Sequence, residues 1–332
     1  MQVDIKTSDI RPIRQTFSHI ARRFGADKPA SRYQEATYDL QPEVNFHYRP
    51  LWEPGFELYD TRRTAVVMRD WYAFKDPRHY YYGTYTQARA RQQEAQESAL
   101  EFVDRRGLLR EAPGEARQRI EELVLPLRHY EWGANMNNCY VTAYGYGAAI
   151  TQAAQYQSMD RLGLAQYLSR IGLLLDGNQG ASLARAKQHW VASPEWQGLR
   201  REMENLFVTK DWFEVFVVQD LVLDGLVYPL VFQALERELS AATGNGFGMS
   251  VEFMRDWHGE NLRWVDACMK TAAEESPQNV ALLSGWVKDW VARSKEALAP
   301  WAAVAFGAQG AAQLDEAVSA LRQRVAKCQI AF

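Results

Sequence analysis

Residues 127–176 read LRHYEWGANMNNCYVTAYGYGAAITQAAQYQSMDRLGLAQYLSRIGLLLD, and the spacing within this stretch decides the fold. Tyr144, Gly147, Ile150, Ala154, Gln157, Arg161, Leu164, Leu168, Ile171 and Leu175 recur every three or four positions. That period places them on one face of an α-helix. The upper part of the stripe is small and admits a close neighbour; the lower part is Leu and Ile and makes a core. Gly145-Tyr146-Gly147 is read as lying inside the helix, at a point of close helix packing.

From Thr84 onward helical patterning is nearly continuous. Thr84-x-x-Gln87 reads as a capping box for a helix reaching Arg106 and ended by Gly107. A helix over 117–124 follows Pro113-Gly114. Gly177-Asn178 closes the central run, and a helix over 181–191 comes next. Ser193-Pro194 and Ser276-Pro277 each supply an N-cap followed by proline in the first turn. Asp211-x-x-Glu214 is a further capping box, and an amphipathic helix spans 311–327. The stretch Trp212 to Leu235 is apolar on nearly every side, as a fully buried helix is, with Pro229 expected to kink or split it. Thr243 to Met249 reads as a flexible glycine-rich loop before a helix over 251–270. The class is therefore all-α, with residues 84–332 as the helical domain.

Residues 1–83 differ. A short helix over Ile13 to Phe24 stops at Gly25; beyond it Pro29, Pro42, Pro50, Pro54 and Pro77 interrupt regular structure. Yet the segment is dense in rings: Tyr38, Phe46, Tyr48, Trp52, Phe56, Tyr59, Trp71, Tyr72, Phe74 and Tyr80. Disordered linkers lack such composition. An ordered, extended arm is expected, its rings buried either on the helical domain or on another subunit.

A net charge of −3 across 332 residues gives no electrostatic footprint for nucleic acid or an anionic membrane. No apolar run is read as long enough for a membrane span, and Met1 to Asp9 lacks the apolar core of a signal peptide. Cys139, Cys268 and Cys328 stand far apart, as reduced thiols do, so a cytoplasmic protein is expected. The pairs Arg22-Arg23, Arg62-Arg63 and Arg105-Arg106 read as solvated or ion-paired surface.

A helical di-metal site needs Glu-x-x-His pairs, which put two ligands on one face a turn apart. At Arg161-x-x-Leu164 the same geometry presents a guanidinium and an isobutyl group. Of the six histidines, only His79 has an acid three residues before it, in Asp76-Pro77-Arg78-His79, outside the bundle. No di-metal ligand set is therefore expected in this chain, and no catalytic or cofactor-binding motif stands out. Asp220 and Asp224 lie i,i+4 on the buried helix; they are read either as an acid–base or metal pair, or as partners of Arg, Lys or backbone donors. Gly244-Asn245-Gly246-Phe247-Gly248 has neither the preceding strand nor the following Lys-Ser/Thr of a phosphate loop.

Three motifs converge: Asn45-Phe46-His47-Tyr48-Arg49-Pro50-Leu51-Trp52, Trp71-Tyr72-Ala73-Phe74-Lys75-Asp76-Pro77-Arg78 with Tyr80 and Tyr85, and Ala21-Arg22-Arg23-Phe24-Gly25. Together they resemble the β subunits of bacterial multicomponent monooxygenases, the phenol hydroxylase oxygenase component above all, with toluene monooxygenases next. The resemblance implies a ferritin-like, ribonucleotide-reductase-like bundle. It implies an (αβγ)2 hydroxylase whose α subunit carries a di-iron centre that inserts oxygen into an aromatic ring, phenol to catechol. It also implies a regulatory protein, and a reductase using NADH, FAD and a 2Fe-2S cluster. Under it, Met159-Asp160-Arg161-Leu162-Gly163-Leu164 stands where an active relative reads Met-Asp-Glu-x-x-His, so Arg161 and Leu164 mark lost ligands. Asp256-Trp257-His258-Gly259-Glu260 matches the second motif, with Trp257 and Glu260 at ligand positions. The expected role is a non-catalytic scaffold without nucleic-acid or membrane partners, its subunit interface formed by Phe46, Tyr48, Trp52, Trp71, Phe74 and Tyr80. Two rivals remain, an independent di-iron oxidase or desaturase and a stand-alone helical binding protein.

Overall fold

The central stretch is two helices, α5 (Leu127–Tyr144) and α6 (Ala148–Asp176), and not one. Gly147 makes the difference: its φ of 91° lies outside the helical region and is open to glycine. A Cβ there would also stand 3.1 Å from the Cβ of Trp71, so the arm packs directly on the break. Gly145-Tyr146-Gly147 is thus the turn between two helices and not a stretch inside one, while the close packing expected there holds: a Cβ on Gly145 would stand 2.7 Å from Thr151 Cγ2 and 3.4 Å from the Trp212 ring. The two helices fold back antiparallel: Thr142 donates to the Thr151 carbonyl at 3.4 Å and Asn135 to that of Ser158 at 2.7 Å.

This computed structural model describes residues 18–25 and 30–332. α1 is Ser18–Phe24 and α2 Arg32–Glu35; the part of the expected first helix before residue 18, and Pro29, lie outside the described residues. α3 (Tyr82–Arg105) starts two residues before the expected capping box, because Thr84 accepts from the backbone of Tyr81 at 3.1 Å. α4 (Gly114–Leu123), α7 (Ala181–Ala192) and α8 (Pro194–Phe207) stand close to their expected places. Among the described residues there is no strand.

α9 (Trp212–Ala242) is the buried spine. By length and hydropathy it could cross a membrane, contrary to the sequence expectation, but 89% of its most apolar window is covered by the rest of the chain. Pro229 neither breaks nor splits it: the helix continues, with wide π-turns over Val217–Leu223 and, just after the proline, Leu230–Leu235. Asp211 caps its start by accepting from Phe213 and Glu214. The expected glycine-rich loop is shorter than read. α10 (Gly246–Glu275) begins inside it, since the Thr243 hydroxyl accepts from the Phe247 amide at 3.0 Å and holds the first turn. α11 (Pro277–Phe306), capped by Ser276, and α12 (Gly310–Ala326) complete the bundle around α9.

The arm splits in two. Trp71 and Phe74 are in the main core, their ring centroids 5.5 Å from Trp212 and 5.9 Å from Phe213. Each ring so buried contributes roughly 1.5–3 kcal/mol. Asn279 of α11 fixes the strand-like segment before them by donating to the Val67 carbonyl at 2.9 Å. The stretch 44–58 behaves oppositely: Tyr48 and Trp52 are 84% and 72% exposed.

Candidate functional site

The polar centre of the bundle is one guanidinium. Arg161 of α6 is fully buried and meets three carboxylates. Its Nη1 donates to Glu131 Oε2 of α5 at 3.0 Å, and Nη2 to Asp220 Oδ1 of α9 at 3.0 Å and to Asp224 Oδ2. Its face lies over the Trp257 ring of α10, 4.7 Å from the centroid. Four helices therefore close on one cation.

A buried carboxylate is tolerable only with donors, and each acid has further ones. Tyr228 donates to Glu131 Oε1 at 2.8 Å, and Tyr130 to Asp224 Oδ1 at 2.6 Å. Asn138 and Gln157 both donate to Asp220 Oδ1 at 3.2 Å. Three acids still outnumber one cation. Burial pushes Glu131 up to about 7 against the opposing pull of Arg161, and pushes Asp220 upward as well. Burial also lowers His258 to about 3, with Arg324 and Arg161 adding to the effect, so this imidazole, stacked 4.6 Å from Tyr228, stays neutral.

A second network lies one residue away in sequence. Asp160 accepts from both Nε and Nη2 of Arg89 at 2.8 and 2.7 Å, from Tyr85 at 2.9 Å and from Trp257 Nε1 at 3.0 Å. Arg89 also reaches Glu260, and so does Arg78 of the arm, at 3.7 Å. Burial opposes the Glu260 charge, but Arg89 and Arg78 outweigh it and hold the carboxyl below its ordinary value.

The sequence-predicted positions thus separate. Arg161 and Trp257 meet at the cage, Glu260 belongs to the second network, and Leu164 is plain core. Asp220 and Asp224 pair with the same arginine. Asp76 is held by Arg78, and His79 stacks on Tyr33, so acid-x-x-His there is no ligand pair. These residues do not fit a di-iron centre: a guanidinium fills the space between the acids, leucine and a carboxylate (Leu164, Glu260) stand where imidazole would be needed, and an indole (Trp257) stands where a carboxylate would be needed. Among the described residues no three His, Cys, Asp or Glu side chains are placed to hold a metal ion. Glu131 escaped the sequence reading, although Glu131, Asn135 and Asn138 form a polar stripe at helical spacing on a face otherwise buried.

Of the six interface residues expected, Trp71, Phe74 and Tyr80 are buried in the chain's own interior and offer no surface to a partner. They pack on Trp212, Phe213 and Tyr85, which satisfies their rings intramolecularly. Phe46, Tyr48 and Trp52 remain available.

Residues 52–276 match the family model described as Methane/Phenol/Alkene Hydroxylase. The chain belongs to this family. It is similar to phenol 2-monooxygenase, oxygenase component DmpL, of Pseudomonas sp. (strain CF600), with 51% identity over 98% of both chains. It is similar at 27% identity to the toluene-4-monooxygenase system hydroxylase component subunit beta of Ectopseudomonas mendocina, covering 84% of this chain and 86% of that one. The solved structure of xenon-pressurized phenol hydroxylase from Pseudomonas sp. OX1 superposes with a TM-score of 0.93 at 43% identity, over 99% of each chain. The fold is the all-α, ferritin-like bundle of these hydroxylases.

Proposed function

We propose that this chain is the non-catalytic β subunit of a phenol- or toluene-type multicomponent monooxygenase. In this reading it scaffolds a di-iron α subunit, with a small γ subunit, in a cytoplasmic (αβγ)2 hydroxylase that converts phenol to catechol. A regulatory protein and a reductase carrying FAD and a 2Fe-2S cluster, fed by NADH, complete the system. The observation that carries the reading is Arg161. A fixed cation bound to Glu131, Asp220 and Asp224 occupies the place in the bundle where a metal-bearing relative would need open ligands. The relatives support it further, since one is named as a hydroxylase component subunit beta.

Residues 84–332 would be the scaffold and residues 1–83 the partner-gripping arm, in which Phe46, Tyr48 and Trp52 make the contact. Deleting the whole arm would remove Trp71 and Phe74 from the core, so point substitution is the sound test. The chain is co-expressed with its partner subunits and the complex weighed by native mass spectrometry, with iron counted per chain. An assembly holding one copy of this chain per large subunit, weakened by Tyr48→Ala with Trp52→Ala, is expected. A monomer that carries iron and oxidises substrate by itself would overturn the proposal.

A further inference from the structure

The helices that build the cage turn an unusual face outward. Between residues 132 and 169, across most of α5 and α6, the only charged residues are Asp160 and Arg161, and both are buried. Every exposed side chain in that stretch is uncharged: Trp132, Met136, Met159 and Leu162, each 43–52% exposed, together with Ala143, Gln155 and Gln166. A helix face in water carries charged residues opposite its apolar stripe. α11 of this chain does so, exposing Lys288, Asp289, Arg293, Lys295 and Glu296. Trp and Met with charge excluded is instead the composition of an interface core.

The two helices present one surface. The bonds from Asn135 to Ser158 and from Thr142 to Thr151 set their antiparallel register, which brings Trp132 within a turn of Leu162 and Met136 within a turn of Met159. The cage holds that register: Glu131 and Arg161, which bond across the two helices, are the chain neighbours of Trp132 and Leu162. A face fixed in this way binds with little ordering cost. It continues beyond the helix pair. A groove of about 350 Å³ joins Trp132, Met136 and Tyr140 to Phe207 at the end of α8, beside the exposed Val208. Tyr140 also lines a cavity of about 440 Å³ with Glu53, the residue that follows the exposed Leu51 and Trp52. The helix face is therefore continuous with the loop whose rings are proposed above to meet the large subunit. α5 has 18 residues; at that length, two helices packed side by side cover roughly 500 Å². The groove and the loop extend this toward the roughly 800 Å² per partner of a stable interface.

We infer that the large partner subunit covers the α5–α6 face with an uncharged, apolar helical surface of its own, and that this face and the loop bearing Tyr48 and Trp52 form a single interface. This rests on the subunit reading above, and the occupant follows from the continuity of the two patches. The co-expressed assembly is prepared with Met136→Glu and Leu162→Glu together, and with Ala292→Glu on the solvent face of α11 as the control. In a further preparation the photo-cross-linker p-benzoylphenylalanine replaces Leu162. Dissociation constants are read by dilution in mass photometry, and circular dichroism of each chain reports its folding. The double variant is expected to raise the dissociation constant by about a hundredfold or more, because two carboxylates are driven into an apolar contact; Ala292→Glu assembles as the wild type does. The cross-link is expected on the large subunit. An unchanged dissociation constant for the folded double variant overturns the interface. A cross-link missing from the large subunit, whether it forms with a second copy of this chain, with the small subunit or not at all, overturns the choice of partner. If the double variant does not fold, the cross-link decides. A wild-type chain that never assembles with a large subunit overturns the subunit reading instead.

Discussion

Replacing Arg161 by Met removes the cation at the centre of the bundle while keeping most of its volume. Glu131, Asp220 and Asp224 are then left facing one another with both tyrosines still donating to them. Breaking a buried ion pair from one side costs about 3–5 kcal/mol. At about 2.1 cal/mol/K per residue, the unfolding entropy of 332 residues is near 0.7 kcal/mol/K, so the melting temperature falls by roughly 4–7 °C at pH 7.5. The loss has a pH signature that a mere packing defect lacks. A carboxyl whose folded pKa is raised binds protons in the native state that the unfolded chain has already released. Stability therefore falls as pH rises through that window. For Glu131 the window runs from its ordinary 4.5 to about 7, worth on the order of 3 kcal/mol. Without the opposing pull of Arg161, Glu131 and Asp220 are pushed further up, so Arg161→Met loses more relative to wild type at pH 8 than at pH 5. Adding Glu131→Gln, Asp220→Asn and Asp224→Asn to Arg161→Met removes the stranded charge and restores most of the stability. Melts followed by far-ultraviolet circular dichroism between pH 5 and 8 decide it. A single variant within 1 °C of wild type at every pH refutes the cage as an electrostatic element.

Two other outcomes follow from the coordinates. In α8, a Cβ on Gly198 would lie 2.3 Å from the Ala297 carbonyl oxygen of α11, so Gly198→Ala forces the two helices apart and costs about 1–3 kcal/mol. Gly163 has nothing within 4 Å of its Cβ position, and Gly163→Ala gains up to about 1 kcal/mol; equal effects in denaturant unfolding would contradict the packing described. His258 is held at about 3 by burial, so its share of stability is lost as pH falls below 6.5, and His258→Phe is expected to gain about 2 kcal/mol relative to wild type at pH 5 and almost nothing at pH 7.5. A flat difference between the two pH values would refute that assignment.

The helical class was readable because the helices carry their own period and some of them their own caps. Ser276-Pro277 and Asp211 act as their residue types dictate. What the pattern hid was backbone conformation at single residues. The stripe from Tyr144 to Leu175 keeps its spacing across Gly147, so periodicity alone joins two helices that a φ of 91° separates. The arm shows a different limit. Trp52 and Trp71 have the same chemistry and lie in the same irregular, aromatic-rich segment, yet one is 72% and the other 6% exposed, because only the second meets α9. Arg62 and Arg63 differ in the same way, one step along a single turn.

The cage was half legible for a geometric reason. Asp220 and Asp224 sit i,i+4, a spacing that signals a shared face on any α-helix. Gln219 and Asp224, five residues apart, would diverge by about 140° at 100° per residue and should not touch. In the structure Gln219 Nε2 lies 3.3 Å from Asp224 Oδ1 and 3.0 Å from the Tyr130 hydroxyl. The π-turn over Val217–Leu223 accounts for this, since an i→i+5 turn rotates each residue through a smaller angle and brings position five back over position one. That wide turn draws Gln219, Asp220 and Asp224 onto the side where α5 and α6 present Tyr130, Glu131 and Arg161. An α-helical spine with the same side chains would turn Gln219 away and leave the Tyr130–Asp224 pair without its amide. The local unwinding of α9 is therefore part of how four helices supply enough donors and acceptors to bury one guanidinium.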